Sequence, residues 1–230
     1  MLSSNNYVVN GYMSNRTPEQ REREILEVNI INYYISDLHF FCKSELRNGY
    51  FKERPFDTLE EMHETIKKNW NDTVTNGDHV YILGDNSKRG FNDNLVALMS
   101  QLKGNLHLIR GNHDDISDLR MKKLFLEICD YKELSDSFDG KSYKLILSHY
   151  PIYAWHGQNR GTILLHGHCH DNFDNTLFQK AIKELNEAYK ERDSDKYVEF
   201  EAINVGCMLD YMNYTPRTLK ELLEANKCTK

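Results

Sequence analysis

Residues 162–171 read TILLHGHCHD, an apolar run that stops abruptly in a glycine and imidazoles. Its first half, short and uninterrupted by polar residues, predicts a buried strand. Read as extended chain, it puts His168 and His170 on one face and Cys169 on the other. Two imidazoles sharing a face at a strand end are candidate metal ligands. Gly167, lacking a side chain, lets backbone or a ligand come close just where the strand stops. An HxH pair alone is also what a surface or a packed core supplies, and its weight here comes from four other stretches that end in the same manner.

Upstream, residues 143–147 predict a strand ending in Ser148, His149, Tyr150 and Pro151. Residues 106–109 predict one ending in Gly111, Asn112, His113 and Asp114, and residues 79–83 one ending in Gly84, Asp85 and Asn86. The β-branched and aromatic run NIINYYIS (29–36) leads directly into Asp37, Leu38 and His39. Between these strands lie helical patterns: Leu59, Met62, Ile66 and Trp70 within 57–71, then 92–101, then 118–128. Downstream, 176–192 is an amphipathic helix that serves either as a packing layer or as a lid over the strand ends. A strand over 197–207 and a helix over 218–225 close the chain. Strands alternating with helices predict a layered α/β fold, in which functional groups collect outside the strand ends.

The organisation is one domain over 29–230, preceded by a polar arm with a short helix over 1–28 that opens on Thr17 and Pro18. Nothing in the sequence approaches the roughly 20 apolar residues of a membrane span, and the N-terminus lacks the basic and apolar blocks of a signal peptide, so the expected location is cytoplasmic with no membrane partner. The five cysteines are scattered, without a CxxC pair, and read as ordinary thiols. A formal net charge of −6 argues against long nucleic acid as a partner. Oligomeric state leaves no trace in the sequence.

Asp37, His39, Asp85, Asn112, His149, His168 and His170 are seven oxygen or imidazole donors, too many for one tetrahedral ion and suited to two divalent ones. Asp85 can bridge, since a carboxylate has two oxygens. Nitrogen and oxygen donors without thiolate favour manganese, iron or zinc. Two such ions about 3.5–4 Å apart bind phosphate, acidify water and stabilise charge during in-line displacement, the chemistry of phosphoester hydrolysis.

The ordered series D-x-H, GD, GNHD, H and GHxH resembles the calcineurin-like metallophosphoesterases over about residues 30–210. The stretches RPFDTLEEMHETIKKNW, LILSHYPIYAW and INVGCMLDYMNYTPRTLKEL are most similar to a bacterial and bacteriophage subgroup. The resemblance implies a four-layer αββα sandwich, with Asp37, His39 and His170 on one metal, Asn112, His149 and His168 on the other, and Asp85 between them. It implies attack by a metal-bridging hydroxide, with His113 as the general acid; because this chain departs from the pattern that supplies a partner aspartate, Asp114 or Asp93 would have to orient His113 if any carboxylate does. Lys88 and Phe40 stand where protein phosphatases carry an aspartate and a glycine, which points away from that branch. Cys42 replaces a second histidine found in relatives.

Several residues keep two readings. Asp114 either partners His113 or caps a helix, and His166 either supports a ligand from behind or is simply packed. Arg160, in the QNRG turn, is a candidate phosphate contact, as are Lys88 and Arg89, and all three also read as surface charge. The expected substrate is a small phosphoester, with a lean to phosphodiesters or nucleotides. The alternative is a non-catalytic metal-binding scaffold that engages a protein partner.

Overall fold

The computed structural model describes residues 30–49, 54–87 and 93–228. The arm and helix expected over 1–28, the first residue of the helix expected at Asn92, and Lys88 and Arg89 lie outside them. In chain order the first half contains β1 (Asn32–Ile35), α1 (Leu59–Thr73), β2 (His79–Ile82), α2 (Asp93–Met99), β3 (Asn105–Ile109), α3 (Leu119–Lys122) and β4 (Phe125–Cys129). The second contains β5 (Tyr131–Phe138), β6 (Lys141–Ser148), β7 (Ile163–His166), α4 (Phe173–Arg192), β8 (Ala202–Asn204), β9 (Arg217–Thr218) and α5 (Leu219–Cys228). One sheet runs β4-β3-β2-β1-β9, parallel except for β9; the other runs β5-β6-β7-β8, parallel except for the β5–β6 hairpin.

Adjacent tyrosines show how the layers stack. Successive side chains on β1 point to opposite faces. The Tyr33 hydroxyl donates to the Thr73 carbonyl of α1, 3.3 Å, and the Tyr34 hydroxyl to Asp136 of β5, 2.7 Å. One face of the first sheet therefore meets a helix and the other meets the second sheet. On the second sheet, Leu145, Leu147, Ile163 and Leu165 join the core shared with the first. Ile146, Leu164 and Ala202 point the other way, into a smaller cluster with Trp155, Phe200 and Ile182 of α4. This is the expected αββα sandwich.

The helices follow from their sequences. Thr58 caps α1 by accepting from the Glu61 amide at 3.1 Å, and the Glu61 carboxylate accepts in turn from the Asp57 amide at 2.9 Å. Met62, Ile66 and Trp70, spaced by four, are wholly buried, and the Trp70 indole donates to the Lys103 carbonyl at 2.9 Å. On α4, Asn186 bonds both the amide and the carbonyl of Phe200, at 2.8 and 3.0 Å, and Gln179 reaches the Ala202 carbonyl at 3.4 Å. Side-chain amides thus cover the backbone beside β8, an edge that would otherwise present unpaired groups.

Two expectations are corrected and one strand is added. The helix over 118–128 is a single turn, α3, followed by β4, because pairing with β3 outweighs a weak helical period. The strand β5 was not foreseen: its side chains are alternately exposed and half-buried, without the apolar run that marks a strand. The helix expected from 176 starts at Phe173, capped by Asn172, and packs on the second sheet through Ile182, so it is a layer of the sandwich. Among the described residues no helix is long and apolar enough to cross a membrane.

His63 of α1 accepts from the Phe41 amide at 3.0 Å, and burial pushes its pKa down to about 4. The unfolded chain takes up this proton near pH 6.5 and the folded chain only near pH 4, so folding stability falls as the pH drops through that window. We expect the denaturation midpoint of metal-free protein to fall between pH 6.5 and 4, and His63→Gln to flatten that slope; an equal slope in the variant would remove His63 from the account.

Candidate metal centre

The C-terminal ends of β1, β2, β3, β6 and β7 meet at one edge of the sandwich, where the two sheets are sewn together by backbone hydrogen bonds. Ser36 donates to Val205 at 2.8 Å and accepts from Cys207 at 3.0 Å, while Val205 donates to His166 at 2.7 Å. Asp37 donates to the Gly84 carbonyl, His39 to that of Asp85, and Gly167 to that of His149, at 3.0, 2.9 and 3.0 Å. Beyond these bonds the chain turns sharply. Asp37, His39, Asp85, His168 and His170 all have positive φ, at 57°, 46°, 56°, 70° and 47°.

This corrects the reading of His168 and His170 as neighbours on one face of an extended strand. The strand ends at His166, and two left-handed residues send the imidazoles into different donor groups. Gly167 is required for the close approach: a Cβ there would lie 2.6 Å from Asp37 Oδ2. Gly84 has φ of 90°, and a Cβ on it would lie 2.5 Å from His149 Nδ1.

The first group holds Asp37, His39 and His170. His39 Nε2 and His170 Nε2 face each other at 3.0 Å, and His170 Nε2 lies 3.7 Å from Asp37 Oδ1. The second holds Asp85, His149 and His168, with Asn112 Oδ1 3.1 Å from His149 Nε2. Asp85 Oδ2 stands between them, 3.7 Å from His39 Nε2 and 3.5 Å from His149 Nε2. All seven expected donors are thus brought together. His149 Nδ1 donates to the Leu83 carbonyl at 2.7 Å, which leaves Nε2 its lone pair. Asp37 accepts from the Ser36 hydroxyl at 2.6 Å and from the His168 amide at 3.2 Å.

Burial shifts three of these donors. It holds His39 well below the ordinary histidine range, helped by the Arg54 guanidinium and by His170. It lowers His168 as well, with His149 adding to the effect. Burial raises Asp85, opposed by His149 and by the His113 amide. Imidazole and carboxylate donors converging at these distances fit divalent cations.

Around the donors, roles differ from those expected. The Asp114 carboxylate accepts from the amides of Asp85, Asn86 and Gly111 at 2.9, 2.9 and 2.8 Å, and from the Asn86 side chain at 3.0 Å. It locks the GD and GNHD turns to each other, neither capping a helix nor bonding the His113 ring. Asp93, the other proposed orienter, pairs with Arg120 at 2.9 Å. The His113 amide donates to Asp85 Oδ1 at 2.9 Å, and its half-buried ring lies 5.6 Å from that of His39. Arg160 sits before β7, at the opposite end from the donors, and its guanidinium meets His156 at 3.2 Å. Trp155 and Cys169 are buried, and His166 is packed against Phe178 with its pKa pushed down to about 4 by burial.

Sequence reading missed four residues. Arg54, wholly buried, donates to the Leu38 carbonyl at 2.7 Å and to that of Asp37. Glu45 is buried beside it. Asn204 donates to the His170 carbonyl at 2.9 Å and accepts from Gly206 at 2.9 Å. Tyr150, half-exposed, packs its ring on His168 at 4.7 Å and on His149 at 5.0 Å. Only Tyr150, inside the SHYP segment, had a signal, namely its adjacency to a ligand. A cavity of about 860 Å³ lies between α4 and residues 199–211; Asn204 and Asp171 line it, but none of the seven donors does.

A family model described as calcineurin-like phosphoesterase matches residues 33–216. The chain is 33% identical over 141 residues to uncharacterized protein MJ1445 of Methanocaldococcus jannaschii, covering 61% of this chain and 69% of the relative. It is 32% identical over 123 residues to the Gene 66 protein of Mycobacterium phage D29, covering 44% of this chain and 62% of the phage protein. Among solved structures, the protein of unknown function AQ665 from Aquifex aeolicus is similar with a TM-score of 0.58 at 25% identity, over 86% of this chain and 100% of that one.

The clamp made by Asp114 can be tested apart from activity. Asp114→Ala leaves backbone donors unpaired and should lower the stability of chelator-stripped protein by on the order of 2 kcal/mol. Asp114→Asn, which keeps one acceptor, should cost less. Equal denaturation midpoints for all three proteins would show that the turns hold without it.

Proposed function

We propose that this chain, which belongs to the calcineurin-like phosphoesterase family, hydrolyses small phosphodiesters with two divalent ions held by the seven donors. The observation that carries the reading is Asp85 Oδ2, within 3.7 Å of a first-group imidazole and 3.5 Å of a second-group one, as a carboxylate shared by two cations requires. Asp37, His39 and His170 would hold one ion and Asn112, His149 and His168 the other. Manganese, iron and zinc suit these donors. When bound, such ions supply Lewis acidity toward phosphoryl oxygens and lower the pKa of water.

The rest of the work falls to the chain. His113 is tied through its amide to Asp85 and half-open to solvent, which suits its imidazole to give a proton from Nε2 or Nδ1 to the departing oxygen. Asn112, exposed beside it, can orient a phosphoryl oxygen through its amide. The Tyr150 ring offers an aromatic wall at the mouth for an organic leaving group. A net charge of −6 supports a small substrate over a long polyanion.

The test is hydrolysis of bis-p-nitrophenyl phosphate and p-nitrophenyl phosphate by chelator-stripped protein, with manganese, zinc, nickel or magnesium added back. We expect metal-dependent turnover with the diester faster. His113→Ala should keep its metal content and lose about 10²–10⁴-fold in rate. The double variant Asp85→Ala with His170→Ala should lose metal and activity together, and full activity in it would end the proposal. Two bound ions with no turnover under any metal would favour a non-catalytic scaffold that engages a protein partner.

A further inference from the structure

The chain between the first two donor turns carries a buried carboxylate that the proposed reaction does not use. Glu45, on the 3-10 turn Lys43–Glu45, is only 3% exposed, and a carboxylate at that depth is costly unless it is matched by hydrogen bonds or charge. Its Oε1 accepts from the Cys42 thiol at 3.6 Å. Its Oε2 lies between two cationic or polar groups, Arg54 Nε at 4.0 Å and His170 Nδ1 at 3.8 Å. The remaining guanidinium nitrogens of Arg54 are directed at the carbonyls of Asp37 and Leu38 and at Met62 Sδ. Arginine and glutamate together therefore bracket the first donor turn from behind, one gripping its backbone and the other facing the ring of His170.

The ring of His170 has two ends with different neighbours. Nε2 faces the donors, 3.0 Å from His39 Nε2 and 3.7 Å from Asp37 Oδ1, while Nδ1 faces Glu45. A carboxylate on the far nitrogen of a ligating imidazole favours the tautomer with the proton on that side, keeps the lone pair on the near side and makes the ring a better donor. At 3.8 Å the contact is electrostatic, beyond hydrogen-bond length, and it acts through the low-dielectric interior that both groups occupy. In the second group, His149 Nδ1 is oriented by the Leu83 carbonyl instead.

We infer that Glu45 is a positioning residue for the first metal site, orienting His170 from behind and strengthening that site selectively, with Arg54 holding both the glutamate and the Asp37 turn. The inference rests on the metal-binding reading above. It makes the two sites unequal in a defined way: a carboxylate stands behind His170 at the first, a carbonyl behind His149 at the second.

The experiment is stepwise titration of chelator-stripped protein with zinc or manganese alone, read by calorimetry or by competition with a chromophoric chelator. In Glu45→Gln, nearly isosteric, the first-site affinity should fall about 10–100-fold while the other step is unchanged. Glu45→Asp, which restores the charge on a shorter arm, should recover part of the loss. In a His149→Ala background, which leaves the first site, Glu45→Gln should still weaken binding; in a His170→Ala background it should have no further effect. Weakening of both steps alike, or a persisting effect without His170, would assign Glu45 a general structural role and overturn the inference, as would unchanged affinity in Glu45→Gln. Wild-type protein that takes up no ion would instead defeat the metal-binding reading itself.

Discussion

Five of the seven donors sit in left-handed backbone conformation, and the architecture of the site follows from what is needed to keep them there. For an L-residue this region costs roughly 1–2 kcal/mol, so five of them together approach the 5–15 kcal/mol by which a domain is normally stable. The cost is offset by the hydrogen bonds between turns: Asp37 to Gly84, His39 to Asp85, Gly167 to His149, and the Asp114 carboxylate across Asp85, Asn86 and Gly111. Each turn is over-determined by its neighbour, and none is held by its own sequence alone. The reward is direction, since a strand that simply continued would send alternate side chains to opposite faces instead of aiming several at one point.

The same edge also joins the two sheets. Ser36 pairs with the segment after β8, which in turn pairs with His166, so the seam of the sandwich and the floor of the site are made of the same backbone. Buried Arg54 belongs to this seam, with its guanidinium on the carbonyls of Asp37 and Leu38. On the other side Asn204 fixes the His170 carbonyl and reaches Asn175 on the first turn of α4. Packing, turn geometry and donor placement are therefore one problem solved by one set of residues.

Where the chain makes its own local statement, the sequence was readable. The strands β1, β2, β3 and β7 are short apolar and aromatic runs, almost wholly buried, and each breaks into Gly, Asp, Asn or His just past its end. All seven donors were visible on that ground. What was not visible depends on partners far along the chain. The strand β5 carries no apolar run, since it is an edge strand whose partner is supplied by β6. The segment after α3 reads as helix until β3 claims it. Arg54 and Glu45 look like loop charges, and their burial is decided by how the loop folds back under Asp37. Arg160 precedes β7 while the donors follow it, and proximity to a ligand in sequence says nothing about which end of a strand a residue occupies.

The donor groups are assembled from distant pieces of chain, with His39 and His170, 131 residues apart, meeting at 3.0 Å. Loop closure on that scale is entropically unfavourable until the intervening sheets have formed, and parallel pairing is slow to form because its contacts are non-local. A nascent or truncated chain that stops before β7 lacks one member of each donor group, His170 of the first and His168 of the second. On the proposed reading, ion capture would be a late event that reports completion of the whole sandwich, and a supplied ion would add a thermodynamic pull toward the finished topology over its partly assembled competitors.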